Sequence, residues 1–332
     1  MSEIARRGLL IGAGLAGGAM VAGAAARAGT GQAPWTAEYW ARKGEVSLCL
    51  YRKRLAAPAP GEANPPVLFL VHGSSISARP SFDLTVPGAG EYSLMDVFAR
   101  HGFDVWTMDF EGYGRSTVTA GNSDIRSGIE DLRAGTDVVA RETGWRRAHF
   151  MGESSGAIRA AAFAMTEPER VDRLVLEAFT YTGKGSPTLG KRAEQLEYYR
   201  THNRRPRGLD MIRSIFTRDK PGTSDPRVAD AIAAAELPFG DTVPTGTYLD
   251  MTAHLPLVDP KRVLSPVLMV RGQYDGISTD ADLLDFFTQL PNPDRQYAIM
   301  AGAAHSVTLS LNRAELWHTM HAFLTMPKPI FV

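Results

Sequence analysis

The sequence predicts an α/β protein built on a mainly parallel sheet with helices packed on both faces, and three observations carry that expectation. Short apolar runs of strand type recur along the chain, helix-like segments separate them, and each run ends in a turn-rich loop. A parallel neighbour can be reached only through a crossover, so strand and helix in alternation imply a parallel sheet. The 332 residues, 44% of them hydrophobic, suffice for one large core with an insertion.

The elements follow in order. Residues 66–71 form a continuous apolar run of buried-strand type, followed at once by His72-Gly73-Ser74-Ser75. After a helical segment at 93–101, residues 103–108 form a second strand that runs into Asp109-Phe110-Glu111-Gly112-Tyr113-Gly114-Arg115-Ser116. A helix at 124–143 leads to a short buried strand at 147–151. Next comes Gly152-Glu153-Ser154-Ser155-Gly156, a G-x-S-x-G pattern, and then a helix at 155–165 rich in small residues. A sharp strand-to-helix turn strains its central residue, and only small residues two positions away on each side let the chains pass. Such a turn exposes the Ser154 hydroxyl at the carboxyl end of the strand and aims the Ser155 N–H at a developing oxyanion. Two glycines around a serine arise by chance in a chain with 32 glycines, so the surrounding strand order is what gives the pattern weight.

The His-Gly loop, the Asp-x-x-Gly-x-Gly-x-Ser segment and the elbow stand in the order and spacing of the α/β-hydrolase superfamily, which residues 45–326 resemble. The resemblance implies a nucleophile, acid and histidine in that chain order. Ser154 is the implied nucleophile. The implied acid is Asp275, in the Gly272-Gln273-Tyr274-Asp275 turn after an apolar strand at 266–270, with Asp280 and Asp282 as alternatives. The implied base is His305, after a last strand at 296–300; two residues separate Gly302 from His305 where the family more often has one. The resemblance places the oxyanion donors at the N–H groups of Ser74 and Ser155, with Ser75 as the alternative to Ser74, and makes His72 structural. It implies no cofactor or metal.

A serine hydroxyl needs a base to take its proton during attack, and imidazole can accept that proton and return it to the leaving group. A carboxylate on the far ring nitrogen fixes the tautomer. The expected activity is hydrolysis of a small carboxylic ester through an acyl-enzyme. Carbon–carbon bond, lactone or amide hydrolysis by the same triad is the alternative, and a non-catalytic binder on this fold is the reading from another class. A serine at the elbow argues against the haloalkane dehalogenase and epoxide hydrolase branches, and the lack of an HGGG motif argues against the hormone-sensitive-lipase type.

The organisation expected is an export signal at 1–28, core at 29–182, a mostly helical cap at 183–264 between the sixth and seventh strands, and core again at 265–332. The strand pattern lapses in the cap, where helical pieces at 189–202 and 226–235 are punctuated by prolines. Residues 184–220 hold ten Lys or Arg against four Asp or Glu. Such charges are commonly a solvated face; the sharper reading makes Arg204, Arg205, Tyr198 and Tyr199 contacts to an anionic substrate. The insertion at 75–92 is too long for an ordinary connection and is expected to border the pocket.

Arg6-Arg7, a charge-free stretch at 8–26 and the Ala24-Ala25-Ala26 and Ala26-Arg27-Ala28 sites describe a twin-arginine export signal, hence a periplasmic or secreted bacterial protein with no stable membrane span after its removal. The formal G-x-G-x-x-G at 12–17 is not read as a dinucleotide site, because no second strand is expected to lead into Glu38. The net charge of zero gives no reason to expect nucleic acid, and the single Cys49 cannot form an intrachain disulfide. The oligomeric state has no signature in the sequence.

Overall fold

The structure, a computed structural model, describes residues 33–330; the expected export signal at 1–28 lies outside them. Ten strands run in chain order: β1 (Trp35–Lys43), β2 (Val46–Arg54), β3 (Val67–Val71), β4 (Asp104–Met108), β5 (Ala148–Glu153), β6 (Val171–Glu177), β7 (Arg204–Pro206), β8 (Thr242–Pro244), β9 (Val267–Gly272) and β10 (Arg295–Met300). Eight form one sheet in the order β1-β2-β4-β3-β5-β6-β9-β10, while β7 and β8 pair as a separate antiparallel ribbon. The sheet is parallel from β4 to β10, and the β1–β2 and β2–β4 pairs are antiparallel.

Strands β3 to β5 are buried along their whole length because both sheet faces are covered. Alternate residues divide between two cores. Phe69, Val71, Phe150 and Leu176 face one side, against Leu132, Ile158 and Phe286 from helices Ile125–Thr143, Ser155–Thr166 and Asp280–Gln289. Leu68, Leu70, Met151 and Val175 face the other, against Phe98 and Phe323 from helices Leu94–Arg100 and Arg313–Leu324. Local chemistry starts several of these helices: Ser93, Asp124 and Thr279 each accept a backbone N–H from the first turn.

One expectation is corrected at the edge. A strand does run through Glu38, since β1 forms a hairpin with β2, but it is an antiparallel edge strand and the Glu38 carboxylate pairs with Arg115 at 2.5 Å.

The region between β6 and β9, the sixth and seventh strands of the large sheet, is helical, with helices Pro187–Ala193, Leu196–Thr201, Leu209–Thr217, Pro226–Glu236 and Gly246–Ala253. The single helix expected at 189–202 is two. Leu189 and Tyr199 both join the core cluster that holds Tyr248 and Met251 of helix Gly246–Ala253. On an unbroken helix, residues ten apart point about 80° away from each other. The ribbon β7–β8 was not expected either, and its pairing comes from across the cap. The insertion at 75–92 packs into this region, with Ile76, Leu84 and Tyr92 clustered against Ile212, Phe216 and Val228. Among the described residues no helix is long and apolar enough to cross a membrane, and no group of three or more His, Cys, Asp or Glu is placed to hold a metal ion.

Candidate active site

Side chains from four separate segments meet just beyond the carboxyl ends of β3, β5, β9 and β10, where an open α/β sheet commonly holds its ligands. Ser154 bridges β5 and helix Ser155–Thr166 in a single residue, with φ 58° and ψ −124°. This is a strained conformation for a non-glycine residue, and the flanking glycines are what make room for it. A Cβ on Gly152 would lie 2.6 Å from the Ala157 nitrogen, and one on Gly156 would lie 2.6 Å from the His72 carbonyl oxygen and closer still to that of Val71. The turn is pinned by the Ser154 N–H, which donates to the Glu177 carbonyl at 2.9 Å.

His305 Nε2 lies 3.0 Å from Ser154 Oγ, and His305 Nδ1 lies 2.9 Å from Asp275 Oδ1. All three residues are buried. Burial pushes the Asp275 carboxyl up, but the His305 ring beside it and the Ile277 N–H at 2.8 Å outweigh that and hold it below the usual carboxylate range. The alternative acids lie elsewhere. Asp280 accepts the Tyr297 hydroxyl at 2.8 Å on the surface, and Asp282 accepts the N–H groups of Tyr181, Thr182 and Gly183 at 3.0 to 3.2 Å, pinning the chain after β6.

The loop after β3 is shaped by His72. Its Nδ1 lies 2.8 Å from the Gly73 carbonyl while its Nε2 accepts the Phe110 N–H at 3.2 Å, which fixes the neutral Nδ1–H tautomer. Burial, with the Arg159 positive charge adding, pushes this imidazole down to about 3. The backbone N–H groups of Ser74, Ser75 and Ser155 have no acceptor among the described residues. Their hydroxyls are engaged: Thr247 Oγ1 donates to Ser74 Oγ, which donates to Ser155 Oγ, each at 2.8 Å, and Ser75 Oγ lies 2.6 Å from the Tyr248 hydroxyl. The serines therefore offer backbone donors rather than free hydroxyls, and helix Gly246–Ala253 of the cap reaches the loop directly.

Of the residues expected to contact substrate, Arg205 and Tyr199 line a cavity of about 690 Å³. Arg204 and Tyr198 are not among its lining residues. Arg204 and Arg205 are neighbours on β7, so they point to opposite sides of the ribbon. The Arg204 guanidinium donates to the Gly112 and Thr242 carbonyls and to the Thr242 hydroxyl, and the Tyr198 hydroxyl donates to the Arg204 carbonyl. Arg192 and Arg218 line both this cavity and a smaller one of about 30 Å³ that reaches Ser154 and His305.

Sequence reasoning missed three supports. Glu177 Oε1 accepts the Val307 N–H at 2.9 Å, so this one residue ties the elbow to the histidine loop; burial and the Glu153 charge raise its pKa well above the ordinary value. Glu236 pairs with Arg207 at 2.5 Å inside the protein. It also accepts the Ser77 N–H, bolting the cap to the loop after β3. Thr247 is the third. None carried a motif, because each acts through a partner more than 100 residues away or through the cap packing.

Comparison with known proteins agrees with this architecture. A carboxylesterase from Bacillus subtilis is 18% identical with a TM-score of 0.63, over 89% of this chain and 93% of that one. An E-2-(acetamidomethylene)succinate hydrolase is 17% identical with a TM-score of 0.62, over 87% and 99%. At these identities the likeness is one of fold. A 2-hydroxy-6-oxononadienedioate/2-hydroxy-6-oxononatrienedioate hydrolase from Paraburkholderia phymatum is 34% identical over 124 residues, which is 36% of this chain and 38% of the relative's length. A protein of the same description from Burkholderia vietnamiensis is 35% identical over 124 residues and likewise matched over 38% of its length. Residues 86–311, more than half of the chain, match the serine aminopeptidase S33 family. With an eight-stranded sheet and a serine held at a strand-to-helix elbow beside a buried histidine, the chain belongs to that family, within the α/β-hydrolase superfamily, and is a serine hydrolase.

Proposed function

We propose that the protein hydrolyses a small carboxylic ester through an acyl-enzyme, with Ser154 as nucleophile, His305 as base and then acid, and Asp275 as the carboxylate that orients the ring. The observation that carries this reading is the unbroken hydrogen-bonded line from Ser154 Oγ through His305 to Asp275, at 3.0 and 2.9 Å. Ser154 Oγ attacks the ester carbonyl carbon while His305 Nε2 takes the hydroxyl proton. The carbonyl π pair moves onto oxygen, and the N–H groups of Ser74 and Ser155 receive that oxyanion, with Ser75 the alternative to Ser74. The tetrahedral adduct collapses as the carbon–oxygen bond to the leaving group breaks and His305 returns the proton to the departing alkoxide. A water then gives its proton to His305 and attacks the acyl carbon. Collapse of the second adduct breaks the bond to Ser154 Oγ, which recovers the proton, and the acid leaves.

A second reading, hydrolysis of a carbon–carbon bond next to a ketone, is favoured by the partial likeness to the two dienedioate hydrolases. It uses the same three residues.

A fluorophosphonate probe tests the assignment. Covalent mass should appear on Ser154, and Ser154→Ala should abolish both labelling and turnover of p-nitrophenyl acetate while leaving the thermal transition cooperative. Labelling that persists in Ser154→Ala, or that maps to Ser155, refutes it.

A further inference from the structure

Residues 184–220 carry an excess of positive charge, and the structure separates those charges into two kinds. Arg204 is held by carbonyls and a hydroxyl, and the two terminal nitrogens of Arg207 are held by carbonyls and the Glu236 carboxylate, leaving only its buried Nε without a partner. Arg192 and Arg205 are not held in this way. Among the described residues neither guanidinium has an oxygen partner, and Arg192 reaches only the Met251 sulfur at 3.9 Å. Both are partly buried, and they sit on one aromatic platform, with guanidinium carbons 5.1 and 4.7 Å from the centre of the Tyr248 ring. Arg218 joins them on the wall of the large cavity. Burial, and then the nearby positive charge of Arg218, pull the Arg192 guanidinium down to about 10.

The other charged groups on that wall do not balance the cluster. Arg271 donates to the carbonyls of Gln273, Asp275 and Ser278, and Asp275 is committed to His305. Lys191 is exposed. Asp219 stands 3.6 Å from Arg218 Nε and is the one carboxylate left on that wall, while the buried Glu153 lines the small cavity with Arg192 and Arg218, so three guanidiniums still outnumber the carboxylates that face them. Unused donors and uncompensated charge in a partly desolvated wall are unfavourable without a ligand. A planar guanidinium fork matches an oxyanion with two parallel hydrogen bonds. Since Arg192 and Arg218 also line the small cavity beside Ser154, a group bound there would belong to a molecule whose reacting carbonyl reaches the nucleophile.

We propose that Arg192, Arg205 and Arg218 form a subsite for an oxyanion, carboxylate or phosphate, carried by the substrate away from its scissile carbonyl. The proposal rests on the serine-hydrolase reading above and extends it to substrate class: acyl compounds with a second, negatively charged end.

The test compares kcat/KM for three p-nitrophenyl esters: glutarate hemi-ester, its neutral methyl diester and a 4-phosphonobutanoate. The wild-type enzyme should prefer at least one anionic ester to the diester by about tenfold or more, and the larger preference names the natural group. Charge-assisted hydrogen bonds of this kind correspond to roughly 10- to 100-fold. Arg192→Met and Arg205→Gln should each lower kcat/KM for the preferred anion by that factor, mainly through KM, with a smaller change for the diester. Arg192→Lys should restore only part, because the charge returns without the fork. If Arg192→Met fails to fold, Arg205→Gln on the short ribbon carries the comparison. Titrating Ser154→Ala with glutarate or inorganic phosphate reads the subsite without turnover; saturable binding should weaken when Arg205→Gln is added. Equal kcat/KM for all three esters at low salt, with Ser154 labelled normally, overturns the subsite and leaves the hydrolase reading intact. Anion binding without labelling or turnover does the reverse.

Discussion

Replacing Asp275 with asparagine keeps the shape of the Ser154–His305–Asp275 line and removes its charge. In the native protein Asp275 Oδ1 lies 2.9 Å from His305 Nδ1 and accepts the Ile277 N–H at 2.8 Å. An asparagine oxygen can keep the Ile277 bond, so the loop after β9 has no reason to move. What is lost is the attraction between carboxylate and the imidazolium formed as Ser154 attacks. For unit charges 2.9 Å apart, an effective dielectric constant of about 20 gives roughly 6 kcal/mol. A barrier raised by that amount slows the reaction by about 10⁴. The expected result is therefore a fall in kcat of about four orders of magnitude, measured with a p-nitrophenyl ester, and a melting temperature within a few degrees of wild type. Asp280→Asn, on the surface beside Tyr297, should keep near-native kcat. Asp282→Asn should lower stability more than kcat, because its carboxylate receives three backbone N–H groups at 181–183. Near-native turnover in Asp275→Asn together with inactive Asp280→Asn or Asp282→Asn would refute the assignment of the acid.

Two further outcomes follow from buried groups. Arg207→Met leaves the Glu236 carboxylate buried without its partner and should cost about 3–5 kcal/mol in urea unfolding; adding Glu236→Gln should recover part of that loss, and a double variant no better than the single one would show that the pair is not what holds the cap to the loop. His72 is held neutral, its folded pKa pushed down to about 3 from an unfolded value of about 6.5. Its contribution to stability is complete above the unfolded value and is lost as pH falls toward the folded one, by about 1.4 kcal/mol per pH unit. His72→Asn, which keeps a donor toward the Gly73 carbonyl, should flatten the wild-type decline between pH 6.5 and 4; parallel stability curves for the two proteins would count against this.

The sequence by itself determined the features whose cause is local. Continuous apolar runs ending in turns identified β3, β4, β5 and β9 to within a few residues, because a strand buried on both faces must be apolar throughout, and a similar run marked the partly buried edge strand β10. Gly152 and Gly156 marked the elbow because a Cβ at either position collides with backbone. Tertiary structure decided what depends on partners distant in the chain. It split the expected helix at 189–202 so that Leu189 and Tyr199 share one core, and it paired 204–206 with 242–244. That pairing turned the adjacent Arg204 and Arg205 to opposite sides, one onto the Gly112 carbonyl and the other onto Tyr248. A count of charges could show the excess in this segment but not which were already neutralised, since Glu236 lies 29 residues from Arg207. Composition fixes how much charge a segment carries, and folding decides which of it remains unpaired beside the nucleophile.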